Sequence, residues 1–189
     1  MLAKLFEVKN AGDKGKGLFA KEPIPKGTID SFECQDCIRM SKDDFESILT
    51  NKEKSLILKY GYRKADGSYL LPCDEIIYLN HSCSANILDS GRGFDIVVKD
   101  ISRGEEATYD YRSFFFHGSE EFECICGEDN CCKIIRSIHD QYNPQRCELM
   151  NIWKKSVDDA LICSDKVDQP LNDKLPYIES SKWTATIIQ

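Results

Sequence analysis

The sequence predicts a mostly β domain that is followed by a helical extension. Two observations support this fold class. Short segments with alternating apolar and polar residues, such as 28–33 and 94–98, recur between glycines and prolines in the first two thirds of the chain. After Cys132 the pattern changes, and apolar residues recur at helical intervals between about 145 and 163. With 189 residues, the chain is long enough for one well-buried domain and an appendage.

The N-terminal third is predicted to contain three strands and a helix. The predicted strands are residues 4–8, 18–20 and 28–33. The helix is expected to begin at Ser41, a residue type that caps helix N termini, and to end before Gly61. Phe45, Ile48 and Leu49 repeat at helical spacing within it.

The middle of the chain is predicted to continue as β structure. Asp66-Gly67 separates two segments with strand character, and this dipeptide favours the tight turns of hairpins. Another strand is expected at 94–98, and a turn at Arg103-Gly104.

The composition narrows the functional classes. Lys and Arg total 25 against 32 Asp and Glu, which gives a formal charge of −7. An acidic surface repels phosphate backbones, so we expect no direct nucleic-acid binding and instead a basic partner such as a lysine-rich peptide. The same charge is also compatible with a role in solubility alone.

The sequence shows no sign of a membrane segment. Its longest apolar runs are a few residues, whereas a spanning helix needs about 20. The first residues lack the apolar core of a secretory signal peptide. We therefore expect a cytoplasmic or nuclear location without membrane association, and we expect a monomer. Ten cysteines in a reducing compartment favour metal binding over disulfides.

Three polar clusters follow one another in the central part of the chain. They are Asn80-His81-Ser82-Cys83 with Ala85-Asn86, Gly104-Glu105-Glu106-Ala107-Thr108-Tyr109-Asp110-Tyr111, and Cys124-Ile125-Cys126 with Cys131. They resemble the SET-domain methyltransferases, in which an N-H-S-C-x-P-N run, a G-E-E-L-T-x-D-Y run and a C-x-C-x4-C tail succeed one another. The resemblance covers residues 4–136. Ala85 in place of proline and Ala107 in place of leucine depart from the pattern, and neither removes a polar group.

This resemblance implies a SET-domain fold, in which several small curved sheets surround a knot-like threaded segment. It assigns residues 1–118 to the SET domain, 119–136 to a zinc-binding post-SET segment and 137–189 to a mainly helical C-terminal extension. The cofactor that it implies is S-adenosylmethionine. The residues that it assigns to cofactor binding are Lys16, Gly17, Leu18, Asn80, His81 and Tyr111.

The residues themselves support part of this assignment. The loop Gly12-x-x-Gly15-x-Gly17 lacks the spacing of a dinucleotide fingerprint or a Walker loop, and alone it predicts only a turn. Asn80 offers a donor and an acceptor that suit an amino-acid head group. By the resemblance, Asn80 binds that part of the cofactor and the backbone of His81 binds the adenine edge. An isolated Asn-His pair would instead indicate a capped turn.

A structural zinc site is indicated by Cys124, Cys126 and Cys131. Zinc in such sites takes four thiolate or imidazole ligands, so this loop lacks one. The family resemblance supplies Cys83 as the fourth ligand of one structural Zn²⁺. Cys132 is adjacent to Cys131, and we choose Cys131 as the zinc ligand because its spacing matches the C-x-C-x4-C pattern.

A second cysteine pair, Cys34-x-x-Cys37, has the spacing of half a metal site. No second pair accompanies it in the sequence, so we interpret Cys34 and Cys37 as core or loop thiols.

The implied reaction sets clear demands on the site. A lysine amine attacks a sulfonium methyl group only when neutral, although free lysine has a pKa of about 10.4. Aromatic walls and few carboxylates would lower that pKa, and a hydroxyl would orient the amine. By the resemblance, Tyr111 is the catalytic tyrosine. Strand alternation places Tyr109 on the same face, at a position where the family has Phe or Tyr.

A tyrosine hydroxyl at position 109 would take up room and limit the reaction mainly to mono-methylation, with some di-methylation. Taken alone, both tyrosines would be β-strand core. Other aromatic residues are candidates for the walls of the lysine channel, although aromatic runs are more often core. They are Tyr60, Tyr62, Tyr69, Tyr78, Phe114, Phe115 and Phe116.

The predicted function is therefore an S-adenosylmethionine-dependent protein-lysine N-methyltransferase that acts on a histone or non-histone protein or peptide. Two alternatives remain open. One is a catalytically silent SET module that binds a peptide, which the presence of Asn80, His81 and Tyr111 disfavours. The other is a SET methyltransferase that acts on a non-lysine acceptor.

Overall fold

The computed structural model describes residues 1–47, 50–114, 121–139 and 143–174. Within them, the strands are β1 (Phe6–Asn10), β2 (Lys16–Ala20), β3 (Ile29–Phe32), β4 (Ile38–Met40), β5 (Tyr62–Arg63), β6 (Tyr69–Leu71), β7 (Asn80–His81), β8 (Ile87–Asp89), β9 (Phe94–Val97), β10 (Glu106–Tyr109), β11 (Phe122–Glu123) and β12 (Ile134–Ile135). The α-helices are α1 (Lys42–Ser47), α2 (Asn51–Tyr60) and α3 (Arg146–Ser164). Short 3-10 helices span Gly12–Lys14, Glu75–Tyr78, Tyr111–Ser113 and Asn172–Lys174. The prediction of a mostly β fold with a C-terminal helix is confirmed.

The main sheet has the strand order β1-β2-β10-β8-β9-β3, and β7 also pairs with β10. Strand β10 runs antiparallel to β2 and parallel to β7 and β8. The parallel register sets Thr108 opposite Asn80 and Tyr109 opposite His81. Two polar clusters that are separated in sequence therefore lie side by side on the paired strands β7 and β10.

An apolar core surrounds this pairing. Completely buried side chains from four strands meet in it: Leu18 of β2, Ile87 of β8, Val97 of β9 and Ala107 of β10. Ala107 lies opposite Leu18 across the two strands. The smaller side chain at this position is thus fully packed, and the core holds the strands on which the polar clusters lie.

A second sheet joins β4, β6 and β5 in that order. Phe45 of α1 and Ile57 of α2 pack with Tyr69 of β6 in a small core of their own. The Phe45 and Tyr69 rings are stacked with 4.1 Å between centroids. The hairpin predicted around Asp66-Gly67 is confirmed, because β5 and β6 pair antiparallel on either side of it.

The helix predicted from Ser41 is two helices. Thr50 begins α2 with a capping box, in which its side chain accepts from the Glu53 backbone and the Glu53 side chain accepts from the Thr50 backbone. The cap gives hydrogen-bond partners to the free backbone N–H groups at the start of α2. A new helix therefore begins at this point, although the apolar spacing suggested one continuous helix. Ile48 and Leu49 lie outside the described residues.

The C-terminal helix α3 packs on the main sheet. Val157 and Ala160 join a buried cluster with Leu88 of β8 and Ile96 of β9. None of the helices in the described part of the chain combines the length and apolar character needed to cross a membrane.

The chain beyond α3 is held to the domain by Gln169. Its side chain donates to the Gly27 carbonyl at 2.9 Å and accepts from the Ile29 backbone at 2.8 Å. Gly27 has a φ of 96°, and a Cβ there would lie 2.8 Å from the Cys163 backbone. Glycine is therefore the residue that allows this close approach. The domain boundaries after residues 118 and 136 stay predictions.

We expect Val157→Ala to lower the free energy of unfolding by about 1–2 kcal/mol, because it removes buried methyl groups from the contact between α3 and the sheet. Ile162→Ala is the matched control. It makes the same change from a β-branched residue to alanine in the same helix, at a side chain that is 67% exposed. Urea unfolding of both variants measures the difference, and equal effects would contradict the docking of α3.

Candidate functional site

A cavity of about 770 Å³ lies between the two sheets and the β11–β12 hairpin. Four of the residues singled out from the sequence line it together: Asn80, His81, Tyr109 and Tyr111. The parallel pairing of β7 with β10 explains this convergence, because it sets the two polar clusters next to each other. The cavity volume is in the range of small-molecule binding sites.

Asn80 is held by partners on both sides. Its amide nitrogen donates to the Lys16 carbonyl at 2.9 Å and to Glu106 Oε1 at 2.8 Å. Glu106 also forms an ion pair with Lys14. These bonds fix the amide plane, which defines where its carbonyl oxygen can accept from a ligand. The sequence did not single out the pairing of Glu106 with Lys14, since nothing local connects β10 with the loop before β2.

Gly17 is required because the side chains of Asn80 and Glu106 lie close to the backbone of β2. A Cβ on residue 17 would lie 2.6 Å from Glu106 Oε1 and 3.1 Å from Asn80 Nδ2. Any larger side chain would therefore displace the carboxylate or the amide from its hydrogen bonds. Here Gly17 supports the site through the room that it leaves for Asn80.

The other two predicted residues of this loop are placed differently. The Leu18 side chain is completely buried in the core, and its strand pairs with β1 on one side and β10 on the other. Lys16 lines a second, smaller pocket, and its Nζ lies 5.0 Å from the centroid of the Tyr78 ring.

His81 connects the turn that begins at Tyr111 with the cysteines. Its Nδ1 accepts from the Tyr111 backbone at 3.1 Å, and its Nε2 lies 3.4 Å from Cys83 Sγ. Burial lowers the pKa of His81 to about 4, so the ring is neutral near pH 7. Since Nδ1 accepts, the proton of the neutral ring is on Nε2, where it faces the Cys83 sulfur.

Tyr111 has a fixed hydroxyl. The group donates to the Leu79 carbonyl at 2.6 Å. Burial, and secondarily the nearby charge of Glu106, raise the pKa of Tyr111 to about 12, so the phenol keeps its proton. With that proton committed to Leu79, the oxygen is left as an acceptor toward the cavity that Tyr111 lines.

Three aromatic rings form a stack on the cavity wall. Phe114 lies between Tyr109, at 5.1 Å between centroids, and Tyr62, at 4.9 Å. Burial, together with Asp95 and Asp89, raises the pKa of Tyr109 well above its ordinary value. The rings supply the apolar wall that was expected.

Of the remaining wall candidates, Tyr60 and Tyr69 line the cavity, whereas Tyr78 lines the smaller pocket. Tyr60 meets Tyr78 edge to face at 6.3 Å, and Tyr69 stacks on Phe45 as described above. Phe115 and Phe116 lie outside the described residues.

The cavity wall also carries carboxyl groups, whereas few were expected. Glu33, Asp89 and Asp95 line it. Burial raises the pKa of Asp89, and burial and the neighbouring Asp30 raise that of Asp95. Glu33 is paired with Arg39 and Lys64, at 2.6 and 2.8 Å. The sequence did not reveal these residues, because they lie on or next to strands whose pairing no motif indicates.

The predicted metal ligands converge. The ligand atoms of Cys83, Cys124, Cys126 and Cys131 all lie within 4.8 Å of one another. The Cys83 and Cys124 sulfurs are 3.7 Å apart. A tetrahedron with Zn–S bonds of about 2.3 Å has edges of about 3.8 Å, so this spacing fits zinc.

Cys132 offers an overlapping alternative. Its sulfur lies 3.4 Å from Cys83 Sγ, and His81, Cys83, Cys124 and Cys132 also form a close group. Because His81 Nδ1 accepts from the Tyr111 backbone, ligation through Nε2 would require the ring to give up its proton. Both groups have ligand atoms within the same distance of one another, and the set of Cys83, Cys124, Cys126 and Cys131 stays the prediction.

One further cysteine was missed. Cys73, which the sequence analysis did not assign, lies beside Cys34 and Cys37. The sequence analysis therefore treated Cys34 and Cys37 as an isolated pair, although Cys73, which follows β6, lies next to them.

The profile of the SET domain matches residues 15–112, and the chain belongs to this family. Histone-lysine N-methyltransferase 2B of Homo sapiens is 27% identical over 140 residues, covering 64% of this chain and 5% of that protein. Histone-lysine N-methyltransferase ATX2 of Arabidopsis thaliana is 27% identical over 170 residues, covering 77% of this chain and 15% of that protein. The chain thus spans only a small part of the length of these two relatives.

A solved structure shares the fold. The methyltransferase domain of human histone-lysine N-methyltransferase SETMAR has a TM-score of 0.51 and 24% sequence identity, covering 70% of this chain and 58% of that one. This likeness supports the arrangement of the sheets that position the cavity.

Proposed function

We propose that this chain is an S-adenosylmethionine-dependent protein-lysine N-methyltransferase that adds one methyl group, or two, to a lysine side chain. The observation that carries the proposal is that Asn80, His81, Tyr109 and Tyr111 line the same cavity. Membership of the SET domain family and the names of the histone-lysine N-methyltransferase relatives support it.

The residues present fit the proposed cofactor. S-adenosylmethionine supplies an electrophilic methyl group on a sulfonium when it is bound. The Asn80 amide, fixed by Lys16 and Glu106, offers its carbonyl oxygen to the ammonium of an amino-acid head group. The backbones of Gly17, Leu18 and His81 would complete the site.

The aromatic stack would prepare the lysine for attack. Removing the ammonium from water behind Tyr62, Phe114 and Tyr109 lowers its pKa. A drop of about two units costs ~2.7 kcal/mol, which binding of the rest of the substrate offsets. Tyr111 would then accept a hydrogen bond from the amine and hold its lone pair in line with the methyl group.

The four cysteines Cys83, Cys124, Cys126 and Cys131 would hold one structural Zn²⁺. Because Cys126 also lines the cavity, the metal would fix the hairpin that borders the site. Binding of the ion would thereby stabilise the wall of the cavity as well as the hairpin.

A lysine-rich segment of a histone or non-histone protein fits the acidic chain, whose formal charge is −7. The nucleus or cytoplasm would be the compartment of such a substrate, and we infer a monomer that does not contact nucleic acid directly. A methylation assay with labelled S-adenosylmethionine on histone and lysine-rich peptide arrays tests the proposal. Silence on all acceptors would favour a peptide-binding module, and label on another group would favour a non-lysine acceptor.

We expect Tyr111→Phe to lower turnover by about 100-fold or more, because it removes the acceptor that orients the amine. Binding of S-adenosylmethionine, measured by calorimetry, should change little, and this separates a catalytic role from loss of the fold. Turnover near that of the original chain would exclude the role of Tyr111.

The principal product after long incubation should be monomethyl-lysine with some dimethyl-lysine, because the buried Tyr109 hydroxyl occupies part of the channel. Tyr109→Phe should shift the products toward higher methylation, since it frees that space. Mass spectrometry of the peptide gives the distribution. A trimethylated product that dominates with the unaltered chain would be incompatible with this assignment.

Cys126→Ser should release about one zinc ion per chain, because a structural site needs its full ligand set. Cys147→Ser is the matched control, since Cys147 is exposed on α3. Metal analysis of the purified proteins gives the count. Equal zinc in both variants would mean that Cys126 is not a ligand.

A further inference from the structure

Three cysteines outside the site described above form a second compact cluster. Cys34 follows β3, Cys37 precedes β4, and Cys73 follows β6. Strands β4 and β6 pair antiparallel with Ile38 opposite Leu71, so Cys37 and Cys73 flank the same end of that pair. The sheet pairing therefore brings three sulfurs from three segments to one place.

The spacing of the sulfurs matches one face of a zinc tetrahedron. The Sγ–Sγ distances are 3.7 Å for Cys34 and Cys37, 3.4 Å for Cys34 and Cys73, and 4.0 Å for Cys37 and Cys73. Edges of about 3.8 Å follow from Zn–S bonds of about 2.3 Å. All three distances are far longer than the roughly 2.05 Å of a disulfide bond.

The local backbone has the form of a metal-binding C-x-x-C turn. The Cys37 backbone donates to the Cys34 carbonyl at 3.3 Å, which closes the turn. A backbone hydrogen bond from Asp36 also reaches the Cys34 sulfur. Two cysteines at this spacing, on one tight turn, are typical of zinc sites.

We propose that Cys34, Cys37 and Cys73 bind a second Zn²⁺ ion, separate from the one assigned to the Cys83 cluster. Within the described ranges, no further His, Cys, Asp or Glu ligand atom joins the three sulfurs at this distance. Cys34 and Cys37 are buried and Cys73 is exposed, so the fourth position opens to solvent beside Cys73 and takes a water molecule.

This ion would join the two sheets at the edge of the cavity. Cys34 and Cys37 pack with Phe32 of β3 and Leu70 of β6, and Cys37 lines the cavity. Asp74, next to Cys73, accepts from the Leu2 backbone at 2.7 Å and so ties the N terminus to the same point. The inference concerns metal binding and does not depend on methyl transfer.

Metal analysis of the whole chain, purified under reducing, air-free conditions with Zn²⁺ supplied and excess metal removed, tests the proposal. The unaltered chain should hold about two zinc ions, and Cys73→Ser about one. Cys73 is exposed, so serine is tolerated, and circular dichroism checks the fold. Cys147→Ser, at an exposed cysteine outside both clusters, should retain both ions.

The two sites are separated by combining variants. Cys126→Ser should lose the other ion, and Cys73→Ser with Cys126→Ser should lose both. Cobalt(II) loaded into Cys126→Ser should give a thiolate charge-transfer absorption that the double variant lacks. Zinc content that is unchanged by Cys73→Ser would overturn the proposal. A disulfide among Cys34, Cys37 and Cys73 in the air-free protein, detected by peptide mass, would overturn it too.

Discussion

The parallel pairing of β7 with β10 determines where Asn80, His81 and Tyr109 lie along the cavity. It sets His81 opposite Tyr109 and leaves Asn80 at the cavity wall. A shift of one residue would turn each of these side chains to the other face of the sheet. Two further contacts hold the register. Asn86 bonds two backbone groups of β10, and His81 accepts from the Tyr111 backbone. The segment that holds Asn80 and His81 and the turn that begins at Tyr111 are therefore one unit.

The Cys83 carbonyl extends this unit to the β11–β12 hairpin. It accepts from Arg112 at 3.4 Å and from Asn130 at 3.2 Å. Arg112 also forms a buried ion pair with Asp110, at 2.6 Å, and Asp110 caps the turn that begins with Tyr111. Leaving one member of such a pair uncompensated costs about 3–5 kcal/mol, so the turn is held in one arrangement. Arg112 thus links the Cys83 backbone with the turn that begins at Tyr111.

Sequence reasoning succeeded where the signal was contiguous. Asn80 and Tyr109 belong to short runs of polar residues, and Tyr109 could be placed on a strand without knowledge of the rest. The strand alternation extended to Tyr111 was wrong, because β10 ends at Tyr109 and Tyr111 begins a 3-10 helix. The capping box of Thr50 and Glu53 was also readable, but the apolar spacing across it suggested one continuous helix. Cys73 could not be found in this way. It joins its partners only through the pairing of β4 with β6, and a lone cysteine after a short strand carries no local pattern.

The carboxyl groups of the cavity wall could not be predicted from the sequence either, and they bear on the proposed methyl transfer. Asp89 and Asp95 face each other across β8 and β9, where two like charges are unfavourable. Burial raises the pKa of both, and Asp30 raises that of Asp95 further. An ionised carboxylate here would stabilise a lysine ammonium and oppose formation of the attacking amine. The raised pKa values of Asp89 and Asp95 shift both groups toward their protonated form. This pair therefore opposes the proposed methyl transfer less than two carboxyl groups of ordinary pKa would.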